Sequence, residues 1–225
     1  MQNPYLKCFL QNCKSNRGFS LIELMVVLVI VGILAIGVVF MFADPTAKVK
    51  AAAFEMRGDF NLARGVAVKE NADVLISFDS VGYRIWIDDW DAGGGGGPGS
   101  DDFYTDGSDT LVKEVVFKNK VKYYEIGATP PANGPEDDPL GNALDGEGGI
   151  TLGATTLTFK SNGTCDNSDP LVNSGSVVVY YPKDGDPATS IVKGRPYAIV
   201  VDSMSSSCNA RLARWRPEKD DWDRK

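Results

Sequence analysis

The sequence of 225 residues contains no histidine. Without histidine, a Ser-His-Asp triad, a Cys-His dyad and any His-ligated zinc or iron site are excluded. Basic residues are in the minority: 23 Lys and Arg stand against 30 Asp and Glu, which gives a formal net charge of −7. A chain this acidic is a poor general binder of nucleic acid or anionic lipid. Because no nucleophile–base constellation is evident either, we predict a protein that is not an enzyme, without catalytic residues, a metal site or a cofactor.

One long apolar stretch marks the N-terminal part of the chain. From Leu24 to Ala43, 20 residues carry no charge, and only Gly32 and Gly37 fall outside the strongly apolar set. As a helix this stretch would be about 30 Å long, which is the thickness of the hydrocarbon core of a bilayer. A helix in the core of a soluble domain would show a polar face, and this stretch has none. We therefore predict a membrane segment.

The residues before this stretch indicate what kind of segment it is. Residues 1–18 contain three basic residues and no acid, so this flank is expected to stay in the cytoplasm. A small residue, Gly18, precedes the apolar stretch, whereas an ordinary secretory signal is cleaved after it. The sequence from Gly18 to Met25, Gly-Phe-Ser-Leu-Ile-Glu-Leu-Met, resembles the class III signal of type IV prepilins and type II secretion pseudopilins. The resemblance implies that prepilin peptidase cleaves between Gly18 and Phe19 and N-methylates Phe19.

Glu23 is a carboxylate at the edge of the apolar stretch, where an unpaired charge is costly. The resemblance implies that Glu23 pairs with the Phe19 amine of a neighbouring subunit during assembly. The alternative is a glutamate whose carboxylate reaches the lipid headgroups. Further partners implied by the resemblance are other pilins or pseudopilins and an inner-membrane assembly platform. The expected location is the inner membrane, crossed once, with the head in the periplasm, followed by incorporation into a pilus or pseudopilus.

A second, amphipathic helix is predicted after Asp44-Pro45, where we expect a change of solvent and a kink. Apolar residues recur there at helical spacing and form a single stripe. The members of this stripe are Val49, Ala53, Met56, Phe60, Ala63 and Ala67. The predicted organisation is a leader at 1–18, a transmembrane or filament-core helix at 19–44, an amphipathic helix at 45–72 and a globular head at 73–225.

The head has the pattern of an antiparallel β structure. Strands are predicted at Val74–Phe78, Tyr83–Ile87, Val112–Phe117, Val121–Ile126, Thr155–Phe159, Val177–Tyr181 and Tyr197–Val201. The first two are expected to form a hairpin, and the third and fourth a second hairpin around Lys118-Asn119-Lys120. The fold class is therefore α+β, with a long N-terminal helix packed on one or two antiparallel sheets.

The layout of the mature chain resembles the GspH/FimT group, which contains minor type IV pilins and a minor pseudopilin. The likeness includes Ala63-Arg64, the segment Tyr83–Asp88 and the segment Phe159–Thr164. A large head with long loops is typical of a minor subunit. We therefore expect a minor pilin or minor pseudopilin.

Two of the four cysteines, Cys8 and Cys13, fall in the predicted leader, where disulfides do not persist. Removing the leader leaves Cys165 and Cys208, which allow one intramolecular pairing. We predict this disulfide in the exported head. The alternative is two free thiols.

Two loops rich in acidic residues and glycine lie at Asp88–Thr110 and Thr129–Gly149. Seven acids in the first loop would suit Ca²⁺, which prefers oxygen ligands. Their spacing matches no EF-hand, and solvated acidic loops are common. We therefore predict no metal site there.

The C-terminal region places Arg214 and Arg216 on either side of Trp215. Guanidinium groups beside an indole would suit a nucleic-acid backbone and a stacked base. Some minor pilins of the group that the chain resembles take part in DNA uptake, so a DNA-binding or adhesive subunit is the alternative function. Acidic residues follow at once, however, and the arginines would equally pair with them. We expect the structural role rather than DNA binding.

Overall fold

A computed structural model describes residues 19–88, 109–124, 134–144, 149–153, 155–167, 174–182, 194–202 and 208–224. The chain divides into two compact units, Met1–Ala43 and Asp44–Lys225. The fold class is α+β, as the sequence predicts, because helices precede antiparallel sheets.

Helix α1 (Leu21–Ala43) forms the described part of the first unit. Its sequence is uniformly apolar after Glu23, and the described side chains up to residue 37 are exposed. Within the described part of the chain, no helix meets the length and apolarity expected of a membrane span. The membrane segment therefore stays a prediction.

Helix α2 (Pro45–Glu70) opens the second unit. Asp44 is its N-cap and accepts a hydrogen bond from the Thr46 backbone N–H at 2.9 Å, while Pro45 occupies the first turn, where its missing N–H costs nothing. The helix ends at Glu70, and its C-cap residue Asn71 adopts the left-handed conformation with φ 53°. All six residues of the predicted apolar stripe are buried, so this prediction is confirmed.

The described residues of the second unit also form ten strands. These are β1 (Val74–Asp79), β2 (Gly82–Ile87), β3 (Thr110–Val116), β4 (Lys122–Tyr123), β5 (Thr156–Phe159), β6 (Cys165–Asn167), β7 (Gly175–Tyr180), β8 (Tyr197–Asp202), β9 (Asn209–Arg216) and β10 (Asp221–Arg224). They make two five-stranded sheets, ordered β3-β2-β1-β5-β6 and β10-β9-β8-β7-β4. Every strand pair within these sheets is antiparallel.

The predicted hairpin of β1 and β2 is confirmed, with Asp79 opposite Gly82. The predicted hairpin of β3 and β4 is wrong, because β3 pairs with β2 and β4 pairs with β7 in the other sheet. Two consecutive residues between them, Asn119 and Lys120, have positive φ values of 60° and 64° and redirect the chain. The redirected segment buries Val121 and Tyr123 in the core between the sheets. A hairpin on the edge of the first sheet would leave these two side chains exposed.

The core lies between the apolar stripe of α2 and the inner faces of both sheets. A second apolar cluster covers the outer face of the second sheet and contains Tyr124, Tyr180, Trp215 and Trp222. Strand β7 is buried along its whole length because both of its faces are covered. Strands β6, β9 and β10 were not predicted from the sequence.

Candidate functional site

The predicted assembly site lies at the start of α1. Gly18 is outside the described residues, and Phe19 is 83% exposed. Glu23 lies in the first turn, and the Leu24 N–H donates to the Ser20 carbonyl at 3.1 Å. A carboxylate in a first turn is favoured by the positive end of the helix dipole. Cleavage after Gly18 would create an amine on Phe19, which lies close in sequence to the Glu23 carboxylate.

The described side chains of α1 after Glu23 present an apolar surface without charged groups. Its large side chains from Leu24 to Ile36 are each more than half exposed, and no charged residue follows Glu23 in the helix. An uninterrupted apolar surface of this length is stable in an aqueous cell only when other apolar groups cover it. This helix is therefore suited to contact with lipid or with other apolar helices.

The Arg-rich C-terminal region forms the hairpin of β9 and β10. Its register places Arg214 opposite Asp223 and Arg216 opposite Asp221, and each pair is joined by an ion pair of 3.1 Å. Trp215 is only 5% exposed and packs edge-on against the Trp222 ring, with centroids 5.4 Å apart. The arginines thus pair with their acidic neighbours, and the Trp215 indole lies in the outer apolar cluster rather than on the surface.

A cleft of about 330 Å³ lies between α2 and the second sheet. Its polar and aromatic walls carry Lys50, Phe54 and Arg57 from α2, Tyr197 from β8, Arg211 and Arg214 from β9, and Asp223 from β10. Arg211 forms an ion pair with Asp202, whereas Arg57 donates to the Ala210 carbonyl at 3.1 Å. Sequence reasoning missed this cluster, because its members are far apart in the chain.

Cys165 and Cys208 are joined by a disulfide, with their Cα atoms 5.4 Å apart. Cys165 begins β6 in the first sheet, and Cys208 directly precedes β9 in the second. Both residues are buried in the main core. The bond therefore links two sheets whose described strands are not paired with one another.

A buried polar cluster that the sequence did not reveal connects α2 to the first sheet. Asp59 of α2 accepts a hydrogen bond from Tyr83 Oη at 2.6 Å and pairs with Lys113 Nζ at 2.7 Å. Burial, and then the hydrogen bond to Asp59 and its charge, raise the pKa of Tyr83 well above its usual value. Burial alone would lower the pKa of Lys113, but the hydrogen bonds and negative charges of Asp59 and Glu55 outweigh it and raise that pKa. The hydrogen bonds and the ion pair within this cluster indicate a structural role.

The two acidic loops differ in how much of them the structure describes. Most of the Asp88–Thr110 loop, residues 89–108, lies outside the described residues. In the second loop, Asp138 is 2% exposed and accepts hydrogen bonds from the side chains of Asn142, Thr151 and Ser176. Backbone N–H groups of Leu140 and Asn142 also donate to it. The carboxylate oxygens of Asp138 thus hold this loop in place through hydrogen bonds. Among the described residues, no group of three or more metal-ligating side chains occurs.

Comparison with known proteins identifies one feature of the chain. Residues 13–39 match the family model of the prokaryotic N-terminal methylation motif. No curated protein and no solved structure was found that matches the chain. The matched segment includes Gly18, Phe19 and Glu23 and extends through most of α1. The chain therefore carries the class III prepilin signal of type IV pilins and pseudopilins, a motif of structural subunits that are anchored in a membrane, processed by prepilin peptidase and assembled with other pilins.

Proposed function

We propose that the protein is a minor type IV pilin or minor pseudopilin without catalytic activity of its own. Prepilin peptidase cleaves it between Gly18 and Phe19 and methylates the new terminus. The observation that carries the proposal is the match of residues 13–39 to the N-terminal methylation motif. Glu23 supports it, because it lies in the first turn of a helix with no other charged residue.

The mechanism follows from the chemistry of α1. Before assembly, α1 spans the inner membrane once and the unit from Asp44 onwards lies in the periplasm. During extraction, α1 exchanges lipid contacts for contacts with the apolar helices of other subunits, so little apolar surface becomes exposed to water. Pairing of Glu23 with the methylated amine of a neighbour sets the axial position, because an unpaired carboxylate among apolar helices is costly. The inner-membrane assembly platform is the partner in this step.

The finer assignment is to the GspH/FimT group, in which the subunit serves a pilus or a type II secretion pseudopilus. A large β-rich unit with a disulfide between its sheets supports a minor subunit with a specialised head. Deleting the gene distinguishes a role in a pilus from a role in a type II secretion pseudopilus. Loss of surface filaments or twitching assigns it to a pilus, and loss of secreted enzymes with filaments intact assigns it to a pseudopilus.

Substitution of Glu23 tests the assembly step. We expect Glu23→Ala to be cleaved normally but to be missing from the sheared filament fraction, or from cross-linked pseudopilus complexes. Glu70→Ala removes an exposed acid at the far end of α2 and serves as the control, which we expect to assemble normally. Assembly of Glu23→Ala at the level of the control would contradict the proposed role.

A DNA-binding subunit acting in DNA uptake is the alternative, favoured by the basic side chains around the cleft. Against it stand the ion pairs of Arg214 and Arg216 and the burial of Trp215. Loss of residues 1–18 removes three bases and no acid, which leaves a net charge of −10 that repels DNA. A gel-shift assay of the full chain at low salt decides between them. We expect no shift, and a shift that Arg214→Gln abolishes would favour the alternative.

A further inference from the structure

The face of α2 that points away from the core has a regular pattern. Seven residues at alternating spacings of four and three are all exposed and all uncharged. They are Ala47, Ala51, Phe54, Gly58, Asn61, Gly65 and Val68, and we call them the outer seam. The spacing is that of a helix which packs along a second helix. The apolar stripe on the opposite side of α2 already packs in the core of the chain. The outer seam is therefore a second packing face on the same helix.

The outer seam is more apolar than an exposed helix face requires. Phe54 is 50% exposed and Val68 is 53% exposed, and Leu62 beside the seam is 43% exposed. A soluble helix normally places charged or strongly polar residues opposite its core face. An exposed helix face that carries large apolar side chains and no charge is typical of an interaction surface.

Packing within the described part of the chain does not require glycine at the two glycine positions of the outer seam. A Cβ atom added to Gly58 or Gly65 would meet no described atom within 4 Å. Glycine is unfavourable inside a helix compared with alanine. Small residues at alternate seam positions do, however, let the backbone of a second helix approach closely.

A row of basic residues borders the outer seam on one side. Its positive charge indicates that the partner is negatively charged where it faces this row. Lys50, Arg57 and Arg64 recur every seven residues, so they lie along one edge of the seam at intervals of about 10 Å. Among the described residues none of the three forms an ion pair. Arg57 donates to the Ala210 carbonyl and Arg64 to the Asn209 side chain, while Lys50 lies over the Phe54 ring at 5.6 Å. Their charges therefore remain available to carboxylates from outside the chain.

The cleft between α2 and the second sheet begins at the same edge. Lys50, Phe54 and Arg57 form its α2 wall, and Arg211, Arg214 and Asp223 lie on the opposite wall. Arg211 and Arg214 are each paired with an acid, whereas Lys50 and Arg57 form no ion pair among the described residues. Side chains that project from a helix on the outer seam would enter this cleft. Carboxylates there would meet a net positive lining.

A second copy of the chain does not fit this surface. In a parallel pair of α2 helices, Lys50 would face Glu55, but Arg57 would face Leu62 and Arg64 would face Lys69. In an antiparallel pair the two basic rows would face each other. Helix α1 of a second copy carries Glu23 as its single acid, so it cannot match a row of three bases.

We propose that the outer seam and its basic row bind an amphipathic helix of a different protein, with an apolar stripe bordered by acidic residues. The apolar stripe packs on Phe54, Gly58 and Val68, and its carboxylates pair with Lys50, Arg57 and Arg64. This inference does not rest on cleavage at Gly18 or on assembly through Glu23.

Peptide binding to the full chain in a neutral detergent tests the proposal. The probe is a synthetic helical peptide of about four heptads, with Leu at the seam positions and Glu at the flanking positions. The matched control peptide carries Lys at those flanking positions. At low salt we expect the Glu peptide to bind at least about tenfold more tightly. Equal binding of the two peptides would overturn the proposal.

Two sets of variants locate the binding surface. We expect Lys50→Gln/Arg57→Gln/Arg64→Gln to weaken binding of the Glu peptide about tenfold or more. Lys118→Gln/Lys120→Gln/Lys122→Gln makes the same change in net charge away from α2, and we expect it to bind like the wild type. Equal loss in both variants would show general charge attraction and overturn the proposal.

Gly58→Leu tests the seam itself without removing charge. Because a Cβ at this position meets no described atom within 4 Å and leucine favours a helix over glycine, we expect the variant to melt no lower than the wild type while losing binding of the Glu peptide about tenfold. Unchanged binding would overturn the proposal. So would tighter binding of a peptide of residues 45–70 than of the Glu peptide, since that result would make a second copy the occupant.

Discussion

Lys113 of β3 donates from Nζ to the Asp59 carboxylate of α2, with Nζ 2.7 Å from Oδ2. The Asp59 side chain is 8% exposed and that of Lys113 is 34% exposed. Strand β3 forms the edge of the first sheet, and this pair ties it to the helix. Tyr83 Oη donates to the same carboxylate at 2.6 Å, so Asp59 connects α2 to two neighbouring strands.

Removing Asp59 is expected to be strongly destabilising. Asp59→Ala leaves the Tyr83 hydroxyl and the Lys113 ammonium without their carboxylate, and we expect a loss of about 3 kcal/mol in the free energy of unfolding. Tyr83→Phe removes one neutral donor and is expected to cost about 1 to 2 kcal/mol. Urea denaturation measures both values.

Glu114→Gln is the control for this comparison, because it breaks an exposed ion pair with Arg84. We expect it to change the unfolding free energy by less than about 1 kcal/mol. A loss for Asp59→Ala no larger than that of the control would contradict the structural role of Asp59.

The same cluster predicts a loss of stability in alkali. Burial raises the pKa values of Tyr83 and Tyr123, and the charges of Asp59 and Glu55 raise that of Lys113 against the effect of burial. Groups whose pKa is raised on folding stabilise the folded state below their unfolded pKa. That contribution is lost as the pH rises above about 10, the ordinary value of both residue types.

The unfolding free energy should therefore be flat from pH 7 to about 9 and fall above about 10. In Tyr83→Phe the fall should be less steep, because one of the groups that titrate on unfolding is absent. Urea denaturation at a series of pH values measures this. A wild-type curve that stays flat to pH 11 would refute the prediction.

Two glycines are predicted to respond in opposite directions to alanine. Gly58→Ala should raise the unfolding free energy by about 0.5 to 1 kcal/mol, because the new Cβ meets no described atom within 4 Å and alanine favours the helix. Gly82→Ala should lower it by about 1 to 3 kcal/mol, because its Cβ would collide with the Val115 carbonyl group on β3. Thermal melting of both variants tests the prediction. Destabilisation by Gly58→Ala would show that α2 has an intramolecular contact at this position.

The disulfide is predicted to contribute substantially to stability. Cys165 and Cys208 are 43 residues apart, and closing such a loop is worth about 4 kcal/mol on the chain-entropy model. We expect Cys165→Ser/Cys208→Ser to lower the unfolding free energy by up to this amount. Cys8→Ser/Cys13→Ser is the matched control and should have no effect on the processed protein. Equal stability of the two double variants would rule out a stabilising bond.

Local patterns in the sequence predicted much of the fold. The stripe from Val49 to Ala67 repeats at the period of a helix, and all its members are buried. The β1–β2 hairpin was equally predictable, since the turn between its strands is short and is flanked by Asp79 and Gly82. In both cases the residues that decide the structure are close together in the chain.

Features that depend on distant residues could not be predicted in this way. Strand β9 contains three arginines without a regular alternation of polar and apolar residues, so local pattern did not predict a strand whose partners lie on β8 and β10. The pair of Asp59 and Lys113 joins residues 54 positions apart, and a glycine-rich stretch of sequence separates β2 from β3. The turn after Lys118 predicted a hairpin because local signals do not show which sheet the next strand enters.

The mass of the N-terminal peptide of the native protein tests the central claim most directly. The protein is isolated from its own membranes, digested and analysed by mass spectrometry. Cleavage at the signal within residues 13–39 predicts a peptide that begins at Phe19 and carries one N-methyl group. A native chain that begins at Met1, or at any residue other than Phe19, would contradict the account.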